Sequence, residues 1–129
     1  MKMLLDTHAL VWALTDKDQL SAEARRVYLD TRNKLSISPV SFWELAIKSS
    51  IGKIKLKENW CSAFRADLDE NAIQWLPVSP EHCHQVERLP FIHRDPFDRM
   101  LVAQSLAEPM RLLTSDTALA KYGDIILMV

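Results

Sequence analysis

At 129 residues, 48% hydrophobic and 26% charged, the chain has the composition of a soluble globular protein and the length to bury roughly two-thirds of its unfolded surface without staples. A net charge of −1 excludes a general electrostatic pull toward nucleic acid, so any such binding must come from a local basic patch or from metal ions. Two glycines rule out a glycine-rich phosphate loop, two cysteines (Cys61 and Cys83) fall short of a disulfide framework, and no apolar run approaches the ~20 residues of a membrane span.

Short apolar runs alternate with amphipathic stretches, which predicts an α/β fold with a mainly parallel sheet flanked by helices, in one domain spanning residues 1–129. Residues 3–5 read as a strand ending at Asp6, which with His8 would interrupt the core of any signal peptide, so a cytoplasmic location is expected. A helix carrying Leu10, Val11 and Leu14 follows, and Ser21 caps a second, with Glu23 in its favourable first turn. Residues 35–37 are the second strand. Ser38-Pro39 then starts a helix with a capping hydroxyl and a proline at the first position; it bears Phe42, Leu45 and Ala46 and ends near Gly52. Residues 59–70 predict a helix from Trp60, Phe64 and Leu68 at four-residue spacing, and residues 73–78 a strand. Ser79-Pro80 repeats the cap-then-proline start. Asp95-Pro96-Phe97-Asp98 does so again and opens an apolar helix from Met100 to Leu106. Residues 111–114 are a strand, Ser115 or Asp116 caps a short helix stopped by Gly123, and residues 125–128 are the last strand.

On this outline Asp6 ends the first strand, Glu44 lies in the second turn of the helix after strand two, Asp98 in the first turn of its helix, and Asp116 just after a strand. In a parallel α/β sheet, strand C-termini and helix N-termini share the edge where ligands bind. Four acids brought there repel one another, and a divalent cation removes the penalty. Oxygen ligands alone favour Mg²⁺ or Mn²⁺ over zinc, and such a site suits phosphodiester hydrolysis. Each acid also has a structural reading: Asp95 as N-cap with Asp98 as its dipole partner, Glu44 as an exposed helical ion pair with Lys48, and Asp116 as a cap.

Lys48, Lys53, Lys55 and Lys57 could follow a nucleic-acid backbone or simply line a solvated loop or protect an edge strand. Arg94 and Arg99 flank the acids, where they could hold phosphate or pair with a carboxylate. His8 and His93 lie beside the proposed site. His82 and His84 face different ways and lack a zinc-site spacing, so they read as surface residues. Trp12, Trp43, Trp60 and Trp75 read as core or interface.

The segments MLLDTHALVWAL, SPVSFWELAIKSSIGKIKL, HRDPFDRMLVAQSL and LLTSDTALAKYG, in this order and spacing, resemble four blocks of PIN-domain proteins, and most closely the VapC-like toxins of bacterial toxin–antitoxin pairs. The resemblance implies a PIN fold and metal-dependent endoribonuclease activity, with the acidic quartet falling on Asp6, Glu44, Asp98 and Asp116. It implies support from Asp95 and from a hydroxyl before the last acid, Thr114 or Ser115. It also implies a homodimer inhibited by a cognate antitoxin. Two rivals stand beside it: a phosphohydrolase of small phosphate esters with Asp6 as phosphoacceptor, and a non-catalytic module whose acids hold a structural ion.

Overall fold

Five short strands build the sheet at the centre of the computed structural model, which describes residues 1–128. They are β1 (Lys2–Leu5), β2 (Lys34–Ile37), β3 (Gln74–Trp75), β4 (Arg111–Thr114) and β5 (Ile126–Met128). Their order is β3-β2-β1-β4-β5 and every pair is parallel. The helices are α1 (Thr7–Thr15), α2 (Ala22–Leu29), α3 (Pro39–Ser50), α4 (Trp60–Glu70), α5 (Pro80–Arg88) and α6 (Pro96–Ala107). The expected α/β architecture, a parallel sheet flanked by helices, is the architecture present.

Strand residues alternate between faces, and the core divides accordingly. Met3, Leu5, Leu35, Ile37 and Leu113 pack with Leu10, Ala24, Tyr28 and Leu68 from α1, α2 and α4. Leu4 and Leu112 point the other way, onto Leu101, Val102 and Ala103 of α6 and onto Leu89 and Leu119. Both faces are covered, which is why the central strands are apolar throughout. β1, the middle strand, pairs Met3 with Leu35 on one side and Arg111 on the other.

Helix starts follow the capping residues. The hydroxyls of Ser21 and Ser38 accept from Ala24 N (3.0 Å) and Val40 N (3.1 Å), and the Asp95 carboxylate accepts from Phe97 N and Asp98 N. Each satisfies amides that the first turn leaves without partners. Asp6 caps α1 in the same way, so three of the acids grouped below also begin a helix or turn.

Several expectations are corrected. β3 has two residues rather than spanning 73–78; Pro77 has no N–H to donate, and pairing ends with Leu76 N on Ile37 O at 2.8 Å. The final helix is a 3₁₀ run, Thr117–Tyr122, and an unforeseen 3₁₀ turn, Lys17–Gln19, is capped by Asp16. Lys53, Lys55 and Lys57 are exposed on an irregular loop after α3, not on an edge strand. Cys61 and Cys83 are both exposed and free. No helix among the described residues is long and apolar enough to cross a membrane.

His82 is not a surface residue. It is 1% exposed, its Nδ1 accepts from Ser79 N (2.9 Å), its own amide donates to Ser79 Oγ (3.3 Å), and its Nε2 lies 2.7 Å from Glu108 Oε2. Imidazole thus fills the place that Glu or Gln takes in a capping box. His84, two positions on, is exposed as expected. His82→Ala is expected to lower stability by about 1–2 kcal/mol in urea denaturation, and His82→Gln to recover part of it.

Candidate active site

β1 delivers Asp6 to the C-terminal edge of the sheet, where the Asp6 amide donates to Leu113 O at 3.1 Å. The residue is 5% exposed and both carboxylate oxygens are engaged. Oδ1 accepts from Ala9 N at 2.7 Å, and Oδ2 accepts the Thr114 hydroxyl at 2.5 Å. Thr114 Oγ1 in turn accepts from Asp116 N at 3.0 Å. The last residue of β4 therefore joins the acid of β1 to the acid that follows β4. Of the two hydroxyls expected near the last acid, Thr114 is the one engaged; Ser115 is exposed. Burial pushes the Asp6 carboxyl above its ordinary range, against the opposing effect of the Thr114 hydroxyl.

Glu44 enters from α3, which packs against both α1 and α6. The expected partner, Lys48, is present on Glu44 Oε2, but the pair is not the exposed one anticipated. The Glu44 side chain is 4% exposed and that of Lys48 32%. Oε1 accepts the Thr7 hydroxyl at 2.7 Å, and Thr7 also lies 3.0 Å from Ser41 Oγ. The Glu44 hydrogen bond raises Lys48 above the usual lysine range. Lys48 thus belongs to the acidic site and not with the loop lysines.

Asp98, in the first turn of α6, is pushed up to about 7, first by burial and then by the neighbouring charges of Asp95 and Glu44; Asp6 adds to it and His93 opposes it. Its Oδ2 lies 3.5 Å from His93 Nε2, which is also 3.3 Å from Asp116 Oδ2. One ligand atom from each of His93, Asp98 and Asp116 falls within 4.8 Å of the others. The sheet edge therefore gathers Asp6, Glu44, Asp95, Asp98 and Asp116, with Lys48 and His93 at its margins.

Arg99 does not join this group. It is 8% exposed and donates to Val86 O (3.0 Å), Pro90 O (3.2 Å) and His93 O (3.4 Å), so its guanidinium is committed to backbone carbonyls and not to a carboxylate. Those carbonyls lie on α5 and the loop before α6, and their convergence on the guanidinium is a tertiary event with no local signal. Arg94 is exposed beside an apolar groove of about 430 Å³ lined by Trp43, Phe91 and Met100. His8 is exposed and tilts against Trp12 at 5.9 Å. Trp43, 60% exposed, meets Phe97 edge-on at 5.1 Å. Sequence reasoning missed Thr7 and Ser41. Thr7 was within reach of the rule that found Asp6, since it opens the helix at the same edge; Ser41 carries no such signal.

A PIN domain family model matches residues 3–125. The chain belongs to the PIN domain family. No curated protein sequence matches it. Among solved structures, the PIN chain here is similar to VapBC2 from Rickettsia felis, solved bound to a promoter DNA fragment, with a TM-score of 0.71 at 18% identity over 100% of this chain and 98% of that one. It is also similar to VapBC-1 from nontypeable Haemophilus influenzae, with a TM-score of 0.64 at 20% identity over 95% and 92%. A third is FitAcB from Neisseria gonorrhoeae, with a TM-score of 0.65 at 15% identity over 98% and 96%. At these identities the likeness is one of fold, and it extends over nearly the full length of each chain.

Proposed function

We propose that this PIN protein is a Mg²⁺- or Mn²⁺-dependent endoribonuclease and the toxin of a toxin–antitoxin pair. The observation that carries the reading is the convergence of Asp6, Glu44, Asp98 and Asp116 on one sheet edge, with Asp98 pushed up to about 7 by burial and by its acidic neighbours. So many acids in one partly buried place are costly unless a cation shares them. The donors are all carboxylate oxygens, the set that hard divalent ions take. Asp6, Asp98 and Asp116 would hold the ion, directly or through water. When bound, it supplies charge neutralisation for the phosphate and lowers the pKa of water.

The side chains have separable roles. Thr114 fixes the Asp6 carboxylate by its hydroxyl, and Thr7 and Lys48 fix that of Glu44. Glu44 then presents its remaining lone pairs to orient the attacking water. Asp95 supports from the N-cap of α6. In-line attack on an RNA phosphodiester leaves a 5′-phosphate and a 3′-hydroxyl. The rival with Asp6 as phosphoacceptor is less well supported, because position 8 holds His8 and not the second acid that aspartate-nucleophile phosphatases place two residues on.

Support for a partner comes from a further structure of similar fold, solved as a toxin–antitoxin complex from Klebsiella pneumoniae. A cognate antitoxin would cover exposed apolar surface beside the acids, such as Trp43 at 60% and Phe91 at 77% exposed. A homodimer is part of the same reading.

The test is incubation of the purified protein with cellular RNA in Mg²⁺, in Mn²⁺ and in chelator, beside an Asp98→Asn variant. Metal-dependent cutting by the wild type alone supports the reading; equal cutting by both sinks it. Substituting Ser for Lys53, Lys55 and Lys57 together is expected to weaken RNA binding, lower its salt slope by about three, and change stability by less than about 0.5 kcal/mol. A salt titration of binding affinity reads this directly.

A further inference from the structure

His93 brings a nitrogen group among the carboxylates, and its ring is held at both ends. Nδ1 lies 3.0 Å from Asp95 N and accepts that amide proton. Nε2 lies 3.3 Å from Asp116 Oδ2 and 3.5 Å from Asp98 Oδ2. A ring nitrogen that accepts an N–H carries its lone pair, so the proton of the neutral imidazole sits on the other nitrogen. Nε2 therefore donates to Asp116 Oδ2, with Asp98 Oδ2 close beside it. Carrying a proton, it has no lone pair to give a cation, although its distances alone would suit a ligand.

From this geometry we infer that His93 is a positioning residue whose Nε2–H draws the Asp98 and Asp116 carboxylates toward a common point, and that it does not itself ligate the ion. The inference rests on the metal-dependent reading above. Outer hydrogen-bond donors of this kind fix the orientation of metal-binding groups.

The loop before α6 is built to hold this ring. The His93 amide donates to the Tyr122 hydroxyl at 3.1 Å. Arg99 reaches His93 O and the Tyr122 hydroxyl, both at 3.4 Å, and its guanidinium lies 4.7 Å from the Phe91 ring centre. The buried arginine thereby shapes the loop that aims the imidazole.

Two measurements test the assignment. In metal-free wild type at neutral pH, long-range ¹H–¹⁵N correlation is expected to show the Nε2–H tautomer of His93; the Nδ1–H tautomer would overturn the inference. With Mn²⁺ bound, electron spin echo spectroscopy is expected to show no imidazole nitrogen coupling that disappears in His93→Gln; such a coupling would make His93 a ligand. By the same spectroscopy, His93→Ala should weaken Mn²⁺ binding about 10- to 100-fold, and His93→Gln, whose amide N–H replaces Nε2–H, should recover most of it. Unchanged Mn²⁺ affinity in His93→Ala overturns the positioning role but leaves the metal-dependent reading standing. A wild type that binds no Mn²⁺ overturns both.

Discussion

Replacing Asp98 by Asn is expected to abolish metal-dependent RNA cleavage and, in the same protein, to raise the stability of the metal-free form at pH 8. The two effects share one cause. Burial and the charges of Asp95 and Glu44 hold the Asp98 carboxyl at about 7 instead of 3.8. The folded protein then binds this proton more tightly than the unfolded chain does. Its stabilising contribution is complete below about pH 4 and is lost as pH rises through about 7. At pH 8 the ionised carboxylate costs up to about 4 kcal/mol, a cost that a bound cation removes and that Asn never incurs. Thermal unfolding in chelator between pH 5 and 9 should show wild type losing stability as pH rises while the variant stays comparatively level. Added Mn²⁺ should stabilise the wild type at pH 8 and have little effect on the variant. A level wild-type profile would contradict the crowding of charge inferred at this edge.

Lys48→Met should destabilise the metal-free protein by about 2–3 kcal/mol, less than the roughly 3–5 kcal/mol for breaking a fully buried ion pair, because the lysine end is partly exposed. Glu44 would lose the cation on Oε2 while remaining enclosed, with only the Thr7 hydroxyl and the nearby Ser41 to share its charge. Lys48 also counters Asp95 and Asp98, so its removal adds to the repulsion at Asp98. The double variant Lys48→Met, Glu44→Gln should regain most of the loss, since the buried charge goes with its partner. Urea denaturation of the four proteins of this cycle measures the coupling. If the double variant is as unstable as the sum of the two single changes, the pair is not coupled as described.

The legible part of this molecule is the part that depends on local pattern. Asp6 after an apolar strand, Asp98 behind a cap and proline, and Asp116 after β4 could be placed on one edge because a parallel sheet puts every strand end there. Ser21, Ser38, Ser79 and Asp95 announced their helices by capping chemistry that acts within three residues. What was misread depended on the other side of the contact. Glu44 and Lys48 have the spacing of any exposed helical pair, and only the packing of α3 against α1 and α6 encloses the acid. Arg99, adjoining an acid, reads as a residue that could hold phosphate or pair with a carboxylate, yet it points to carbonyls as far back as Val86. His82 looked like a surface residue because its partner, Glu108, is 26 positions away.

The hydrogen bond between Thr114 and Asp6 spans 108 positions of chain. During synthesis Asp6 emerges well before β4, the strand that completes its surroundings. β1 also waits for β2 on its other side, so the middle of the sheet is occupied by the earliest strand and filled in from both flanks. A nascent chain therefore carries an unfinished acidic centre from the time β1 is made until β4 follows. The strand order acts as a delay: the acidic edge takes shape only once β4 has joined β1 and brought Thr114 to Asp6.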